Sequence, residues 1–264
     1  MADTLVYLYG AVSASADTPS TGVEGVGKSA VWLLPAPPVA GVVSEVAAAA
    51  FSTEALDRRT QELEWMAEQG AAHERVLLWF ADRGPVVPFA PFSLHADRER
   101  ARERLQSEGE GLARVLDRLA GKREWGVRLW RDDAVAKAGL GSTSGEVAAL
   151  DREMEDAAPG RRFLLERKRS KLQERELGAA TRELAEGVYA ALSREAAGAA
   201  RRAIPPLKKA GRRVVLDACF LVSEEGFEHF REKVGEERRR LRGRGFEVDF
   251  TGPWPPYHFA GQGD

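Results

Sequence analysis

The chain has 264 residues, enough for two domains at roughly 100–200 residues each, and its 44% hydrophobic and 30% charged residues are typical of a folded protein. A net charge of -2 gives no general argument for binding nucleic acid or an anionic membrane, and the single cysteine, Cys219, excludes an intrachain disulfide and a cysteine-based zinc site. The chain shows neither signal-peptide features nor a run of about 18 apolar residues, so we expect a soluble cytoplasmic protein.

The first half of the chain alternates between strand-like and helix-like patterns. Residues with β-branched and aromatic side chains predict a strand at Thr4–Val12 and two extended segments within Ala30–Val46, where prolines exclude a helix. Apolar residues at helical spacing predict three helices, at Ser52–Gly70, Ala71–Gly84 and Asp97–Leu119. Three prolines make Pro85–Phe92 extended, and we place a domain boundary near Ala120.

The second half has an order of its own: strand, helix, strand, helix, strand. The predicted elements are Glu124–Trp130, Pro159–Ala200, Arg212–Val222, Glu225–Gly245 and Phe246–Phe250. One more strand is expected near Leu221–Gly226 or between the helical segments. This order resembles a ferredoxin-like split βαβ arrangement. The predicted fold class is therefore α+β, with domains at residues 1–120 and 121–264.

The segment Gly22–Ser29, "GVEGVGKS", satisfies the phosphate-loop pattern G-x-x-x-x-G-K-S/T. A nucleotide-binding protein using Lys28 and Ser29, with Asp217 behind an apolar strand as a magnesium ligand, is therefore one alternative. Such a loop must leave a strand directly and open a helix whose amides hold the phosphates. Neither condition is met, because the preceding strand ends near Val12 and prolines follow Ser29 closely. A glycine-rich turn between strands is favoured.

Other residues that often carry chemistry show no catalytic arrangement. The four histidines, at positions 73, 95, 229 and 258, lack metal-ligand spacing. Cys219 lies within an apolar strand, where a small buried side chain is expected, and no feature for stabilising an oxyanion accompanies it. We therefore expect no catalytic group, no metal site and no cofactor at these residues.

Basic residues are concentrated on the long predicted helix of the second half. They are Arg161, Arg162, Arg167, Lys168, Arg169, Lys171 and Arg175. This face is a candidate docking surface for an acidic partner, although a solvated helix face is the favoured interpretation. Binding of DNA or RNA is a third alternative, and it lacks the aromatic strand pattern of RNA-binding modules.

The chain closes with "GPWPPYHF", Gly252–Phe259, which we call the C-terminal strap. Its prolines fix φ, so we expect the chain to leave the sheet after Phe250 as a stiff extended segment. The strap residues Trp254, Pro255, Pro256, Tyr257 and Phe259 form a structural or partner-contacting group, because large side chains are costly to leave in water. Packing on the protein itself, holding the last strand of the second domain, is favoured over a partner contact, and Trp254→Ala is then expected to destabilise that domain.

The strap is also the most specific feature of the chain. "FTGPWPPYHF" resembles the closing "TGPWPPYSF" signature of gas vesicle proteins of the GvpF/GvpL family. Shorter pieces agree in the same order along nearly the whole chain: "YLYGAV" at Tyr7–Val12, "VSEV" at Val43–Val46, "HERVL" at His73–Leu77, "GKREWGVRLW" at Gly121–Trp130 and "DACFLV" at Asp217–Val222. One stretch departs, since "FAPFSLH" at Phe89–His95 stands where the family tends to have an Arg-Phe-Gly-Thr-like sequence.

The resemblance implies a non-enzymatic accessory protein of gas vesicle assembly, acting in the cytoplasm or on the vesicle. Its implied partners are the small shell protein or other vesicle accessory proteins, and its oligomeric state is open. The implied fold is two α+β domains, the second a modified ferredoxin-like one. The family also has a glycine-containing turn, not a nucleotide-binding loop, in the region of Gly22–Ser29. The divergent stretch at residues 86–95 implies a different or weaker contact there if that stretch binds a partner in relatives.

Overall fold

The computed structural model describes residues 3–15, 22–59, 61–141, 145–204, 208–209 and 211–261. They form two compact units. The first unit runs to Glu124 and includes the chain from Pro253 onward, and the second unit is Trp125–Gly252. The sequence predicts a boundary near Ala120 and leaves the chain after Pro253 in the second domain, whereas the structure groups that segment with the first unit.

The first unit contains a five-stranded antiparallel sheet. Its strands are β1 (Thr4–Ser13), β2 (Val31–Ala36), β3 (Val39–Ala47), β4 (Val87–Pro88) and β5 (Leu94–His95). The strand order is β2-β3-β1-β4, and β5 also pairs with β1. The β1–β3 register runs from Thr4↔Ala47 to Ser13↔Val39 with one irregularity between Leu8 and Gly10. The strands predicted at Thr4–Val12 and within Ala30–Val46 are therefore present.

Among the described residues of this unit, five α-helices accompany the sheet. They are α1 (Ala48–Phe51), α2 (Thr53–Arg59), α3 (Leu63–Ala81), α4 (Arg98–Ser107) and α5 (Gly109–Leu119). The predicted helix boundary at Gly70 is wrong, because α3 continues through that glycine. A mid-helix glycine costs about 1 kcal/mol, and the buried stripe of α3 from Gln69 to Phe80 outweighs it. The single predicted helix from Asp97 to Leu119 is divided at Glu108, where the glycines at 109 and 111 follow.

The core of the first unit is built between β1 and α3. Tyr7 and Tyr9 of β1 are fully buried together with Val76, Leu77 and Phe80 of α3. Tyr257 of the C-terminal strap packs against the same cluster. Adjacent tyrosines at positions 7 and 9, with Leu8 between them also buried, show that β1 is covered on both faces.

The second unit contains a second five-stranded sheet. Its strands are β6 (Lys122–Asp132), β7 (Gly198–Arg201), β8 (Lys208–Lys209), β9 (Arg212–Ser223) and β10 (Phe246–Trp254). The strand order is β10-β6-β9-β7, with β8 also on β9. Its helices are α6 (Asp133–Gly141), α7 (Gly145–Glu155), α8 (Pro159–Ser193) and α9 (Phe227–Leu241). This element and strand order matches the split βαβ arrangement of ferredoxin-like folds.

Two element boundaries of the second unit differ from the sequence prediction. The long helix α8 ends at Ser193, not at Ala200, and the residues beyond it form β7. β7 is thus the additional strand, paired antiparallel with β9 through Ala200↔Cys219. The prediction that the chain leaves the sheet after Phe250 is also wrong, because β10 continues to Trp254. Pro253 is tolerated there because β10 is an edge strand.

The core of the second unit joins its sheet to α8 and α9. Leu129, Val188, Phe220, Phe230 and Val248 are among its buried members. In β6, Val127 and Leu129 are buried in this core and Trp125 packs against it, and Glu124, Trp130 and Arg131 are buried as well. Within the described parts of the chain, no helix is long and apolar enough to cross a membrane.

Candidate functional site

The phosphate-loop candidate folds as a turn whose polar groups face the protein. Val26–Lys28 form a single 3-10 turn that leads into β2 and not into an α-helix. The Val26 amide donates to the Tyr9 hydroxyl (2.8 Å), and the Gly27 amide donates to the Gln69 side chain (2.9 Å). The Ser29 hydroxyl donates to the Val26 carbonyl (2.6 Å). The Val26 and Gly27 amides and the Ser29 hydroxyl, which would hold a nucleotide phosphate, are thus already used within the fold, whereas the Lys28 side chain is exposed.

Asp217, the magnesium ligand of that candidate, has partners of its own in the second unit. Its carboxylate is 3% exposed and accepts hydrogen bonds from Nε of Arg128 (2.9 Å) and Nε of Arg202 (2.7 Å). Two guanidinium groups compensate the charge of the buried carboxylate. Asp217 is therefore part of a structural ion cluster on β9, which the sequence pattern alone does not reveal.

A buried polar group of the first unit surrounds His73. The Tyr7 hydroxyl and Nδ1 of His73 are 2.9 Å apart, and the His73 and Tyr9 rings stack at 5.5 Å between centroids. The Tyr9 hydroxyl also lies 2.9 Å from Oγ of Ser44. Burial lowers the pKa of His73 to about 4, and burial raises the pKa of Tyr7 and of Tyr9. His73 is consequently neutral at physiological pH and has a structural environment.

The C-terminal strap is bound to the first unit by several contacts. Pro255 and Pro256 are buried, and the Tyr257 hydroxyl donates to Oε2 of Glu74 (3.3 Å). The Arg118 guanidinium donates from Nη2 to the carbonyls of Phe259 (2.9 Å) and Gly261 (2.7 Å). Burial raises the pKa of Tyr257, and the neighbouring Glu74 carboxylate adds to this effect.

Two residues of the strap region differ in their surroundings from what the sequence suggests. Trp254, the largest ring, remains 40% exposed at the end of β10. His258, whose sequence spacing does not suggest a metal site, has its Nδ1 2.7 Å from Oε1 of Glu124. The carboxylate of Glu124 is 2% exposed, although β-strand alternation places it on the polar face. A buried acid opposite a histidine is not visible in sequence spacing, because the two residues are 134 positions apart.

Most of the candidate basic docking face on α8 is engaged by α7. Glu153, Asp151 and Glu146 of α7 form ion pairs with Arg161, Arg169 and Arg175, respectively. Arg162 donates to the backbone carbonyls of Met154 and Glu155. Arg167 and Lys168 have no ion pair among the described residues. The structure therefore divides the basic run into residues that hold the α7–α8 pair together and residues that point elsewhere.

The comparisons with known proteins agree along nearly the full chain. The family model described as "Gas vesicle synthesis protein GvpL/GvpF" matches residues 5–261. A gas vesicle protein L from a Streptomyces species is 28% identical over 261 residues, which is 98% of this chain and 94% of the relative. A gas vesicle protein L from Haloferax mediterranei is 27% identical over 176 residues, covering 63% of this chain and 49% of the relative.

Solved structures show the same fold. The crystal structure of GvpF from Anabaena sp. superposes with a TM-score of 0.71 at 17% identity, covering 99% of this chain and 98% of that one. The GvpF structure from Microcystis aeruginosa gives a TM-score of 0.68 at 15% identity, covering 97% and 99%. The resemblance identified in the sequence is confirmed, and the chain belongs to the GvpL/GvpF family of gas vesicle synthesis proteins.

Proposed function

We propose that this protein is a non-enzymatic accessory factor of gas vesicle assembly that works by binding the small shell protein or other vesicle accessory proteins. The observation that carries the proposal is the family match over residues 5–261, which spans both units and the strap. The Streptomyces relative that aligns over 98% of this chain is also a gas vesicle protein. The place of action is accordingly the gas vesicle or its assembly intermediates.

The polar groups of the candidate sites are hydrogen-bonded or buried within each unit, and this supports a role without catalysis. The turn at Val26–Lys28 gives its amides to Tyr9 and Gln69. Asp217 is held by two arginines, and Cys219 is a fully buried strand residue. In each case the groups that catalysis requires are already engaged or covered, so the surface of the protein is what a partner would meet.

The direct test is removal of the gene from a vesicle-forming host. We expect loss or malformation of gas vesicles in electron micrographs, with recovery when the full chain is supplied in trans. A control strain receives an unrelated protein at the same expression level. Normal vesicles in the deletion strain, in the absence of a paralogue that takes over, would overturn the proposal.

The absence of nucleotide chemistry is tested on the purified protein. Calorimetry with Mg-ATP on the wild type and on Lys28→Ala should give no binding heat in either case, because the amides of the turn are engaged. Tight binding that disappears in Lys28→Ala would contradict the non-enzymatic interpretation and favour the phosphate-loop alternative.

A further inference from the structure

Two large apolar side chains are exposed side by side near the start of α8. Phe163 is 58% exposed and its neighbour Leu164 is 65% exposed. Single exposed hydrophobic residues are ordinary, whereas exposed apolar side chains that form a patch mark interaction surfaces. The next residue, Leu165, is 8% exposed and points away from them. The helix therefore has an inner and an outer face at this point.

The inner face is occupied by α7. This helix packs against α8, and its buried residues Val147 and Leu150 supply the apolar side of the contact. Ion pairs add to it, such as the one between Arg169 and Asp151. Because α7 already covers the inner face, Phe163 and Leu164 are not the remainder of an unfinished contact with α7. Both side chains remain exposed although α7 is packed against α8.

Three cations share this outer side. At about 100° per residue, Phe163, Leu164, Arg167, Lys168 and Lys171 fall within an arc of about 140° on the helix surface. We call these five residues the outer face of α8. Among the residues that the structure describes, none of the three cations has an ion-pair partner, in contrast to Arg161, Arg169 and Arg175. Glu174 and Arg175, one turn beyond Lys171, fall within the same arc, and Arg175 pairs with Glu146 of α7.

We propose that the outer face of α8 is a docking surface for an acidic amphipathic helix of another gas vesicle protein. This inference rests on the proposed function and specifies the partner segment. A third helix laid against α7–α8 would cover Phe163 and Leu164 with its apolar stripe. Carboxylates flanking that stripe would meet Arg167, Lys168 and Lys171, so charge complementarity sets the choice of partner. Aromatic and arginine side chains are also those that interfaces use most as anchors.

The charge pattern favours a protein helix over a nucleic acid or a lipid surface. Nucleic acids and anionic membranes are attracted by extended basic surfaces, and the chain as a whole carries -2. With Arg161, Arg169 and Arg175 paired to acids of α7, three cations remain beside the apolar pair Phe163 and Leu164. Such a patch suits a short segment with both apolar and acidic residues.

The experiment uses overlapping 25-residue peptides that tile the shell protein and the accessory proteins of the host's vesicles, with fluorescence anisotropy against the full-length chain. The expected ligand is a peptide with an apolar helical stripe flanked by Asp or Glu. Phe163→Ser with Leu164→Ser should weaken its binding by at least about tenfold. The triple variant Arg167→Glu, Lys168→Glu and Lys171→Glu should weaken it similarly, with partial recovery when the acids of the peptide are changed to Lys.

Matched controls separate this surface from general effects. Ile204→Ser replaces another exposed apolar residue of the second unit, 54% exposed, and should leave binding unchanged. Arg239→Glu with Arg242→Glu and Arg244→Glu makes the same change in net charge at the end of α9 and should also have little effect. Unchanged circular dichroism and melting temperature verify that each variant is folded.

The outcomes are distinguishable from those of the gene deletion. Binding that is unchanged in both outer-face variants overturns this inference while leaving the proposed function intact. Binding lost equally in the α9 control shows an effect of net charge and also overturns it. Capture of RNA or of anionic vesicles, with no peptide bound, assigns the face to another class of ligand and rejects the protein helix. Failure of every vesicle protein and peptide to bind the wild type removes the proposed function itself.

Discussion

Both carboxylate oxygens of Glu124 accept hydrogen bonds from a single residue, His258. The backbone amide of His258 donates to Oε2 (3.0 Å), and its ring Nδ1 lies 2.7 Å from Oε1. The Glu124 side chain is 2% exposed, whereas that of His258 is 37% exposed. A carboxylate removed from water depends on such donors, so the strap and the carboxylate stabilise each other.

His258→Ala should therefore destabilise the first unit by about 1–3 kcal/mol, because a hydrogen bond to a buried charged group is lost while the backbone amide remains. Urea unfolding at neutral pH measures the change. Hydrogen exchange should show faster exchange of the amides from Tyr257 to Phe259 in the variant.

His229→Ala is the matched control for that prediction. His229 pairs with Glu195 at 3.0 Å, but its side chain is 69% exposed, and exposed pairs contribute little. We expect an effect within the error of the measurement. Equal effects of the two substitutions would contradict the importance assigned to the buried carboxylate.

The loss of folding stability at acidic pH should depend on His73. Burial lowers its pKa to about 4 from 6.5 in the unfolded chain, so the unfolded state binds more protons between these values. The stability contribution is complete above about pH 6.5 and is lost as the pH falls toward 4, by about 3 kcal/mol in total. Urea titrations of His73→Gln across this range should show a shallower decline than the wild type. His95, whose pKa burial also lowers, remains in both proteins, so parallel declines would reject the prediction for His73.

The loss of folding stability at alkaline pH should depend on three tyrosines of the same core. Burial raises the pKa of Tyr7, Tyr9 and Tyr257 above the ordinary value of 10. Their contribution to stability is present below pH 10 and is lost as the pH rises further, at up to about 1.4 kcal/mol per pH unit for each ring. Tyrosinate absorbance should therefore rise together with the loss of circular dichroism, and Tyr257→Phe should reduce the slope. Tyrosinate formation at these rings in a protein that remains folded would contradict the assignment.

The sequence patterns predict elements better than they predict contacts. β1, β3 and β9 are recognised because their β-branched and aromatic runs need no tertiary information. The strand β7 is not, because Gly198–Arg201 has only small residues and arginine, and its conformation comes from pairing with β9. The break expected at Gly70 is absent because burial of the α3 stripe outweighs the local cost of glycine.

The candidate sites show the same limit. Spacing identifies the strap and the basic run, but not that Tyr257 reaches Glu74 across 183 positions. It also gives no sign that α7, a segment without a predicted element, supplies acids that pair with part of the run. Charge compensation and burial depend on which elements meet, and a single sequence does not state this.

Gly25 provides a test of the turn at the phosphate-loop candidate. A Cβ atom at this position would lie 2.3 Å from the Tyr9 hydroxyl and 2.8 Å from Cγ2 of Val31. Gly25→Ala should displace the hydroxyl that binds the Val26 amide and cost about 1–3 kcal/mol. Gly70→Ala meets no atom within 4 Å and should stabilise α3 by about 1 kcal/mol. Thermal unfolding of both variants checks the opposite signs, and a neutral Gly25→Ala would mean that the turn is not packed as described.

The strap itself is tested by comparing Tyr257→Ala with Trp254→Ala. Tyr257 packs against the first core and donates to Glu74, so its removal should cost about 3 kcal/mol. Trp254 is 40% exposed, and its removal should cost about 1 kcal/mol or less, even though the sequence makes it the expected anchor. Urea unfolding measures both values, and the vesicle peptides described above report partner binding.

The combination of results decides what the exposed tryptophan does. A larger loss of stability in Trp254→Ala than in Tyr257→Ala would reverse the assignment and make Trp254 the structural anchor. Unchanged stability together with unchanged peptide binding would leave Trp254 without either role. Unchanged stability with binding lost at least about tenfold would make Trp254 a partner contact held in place by a strap that Tyr257, Glu124 and Arg118 anchor.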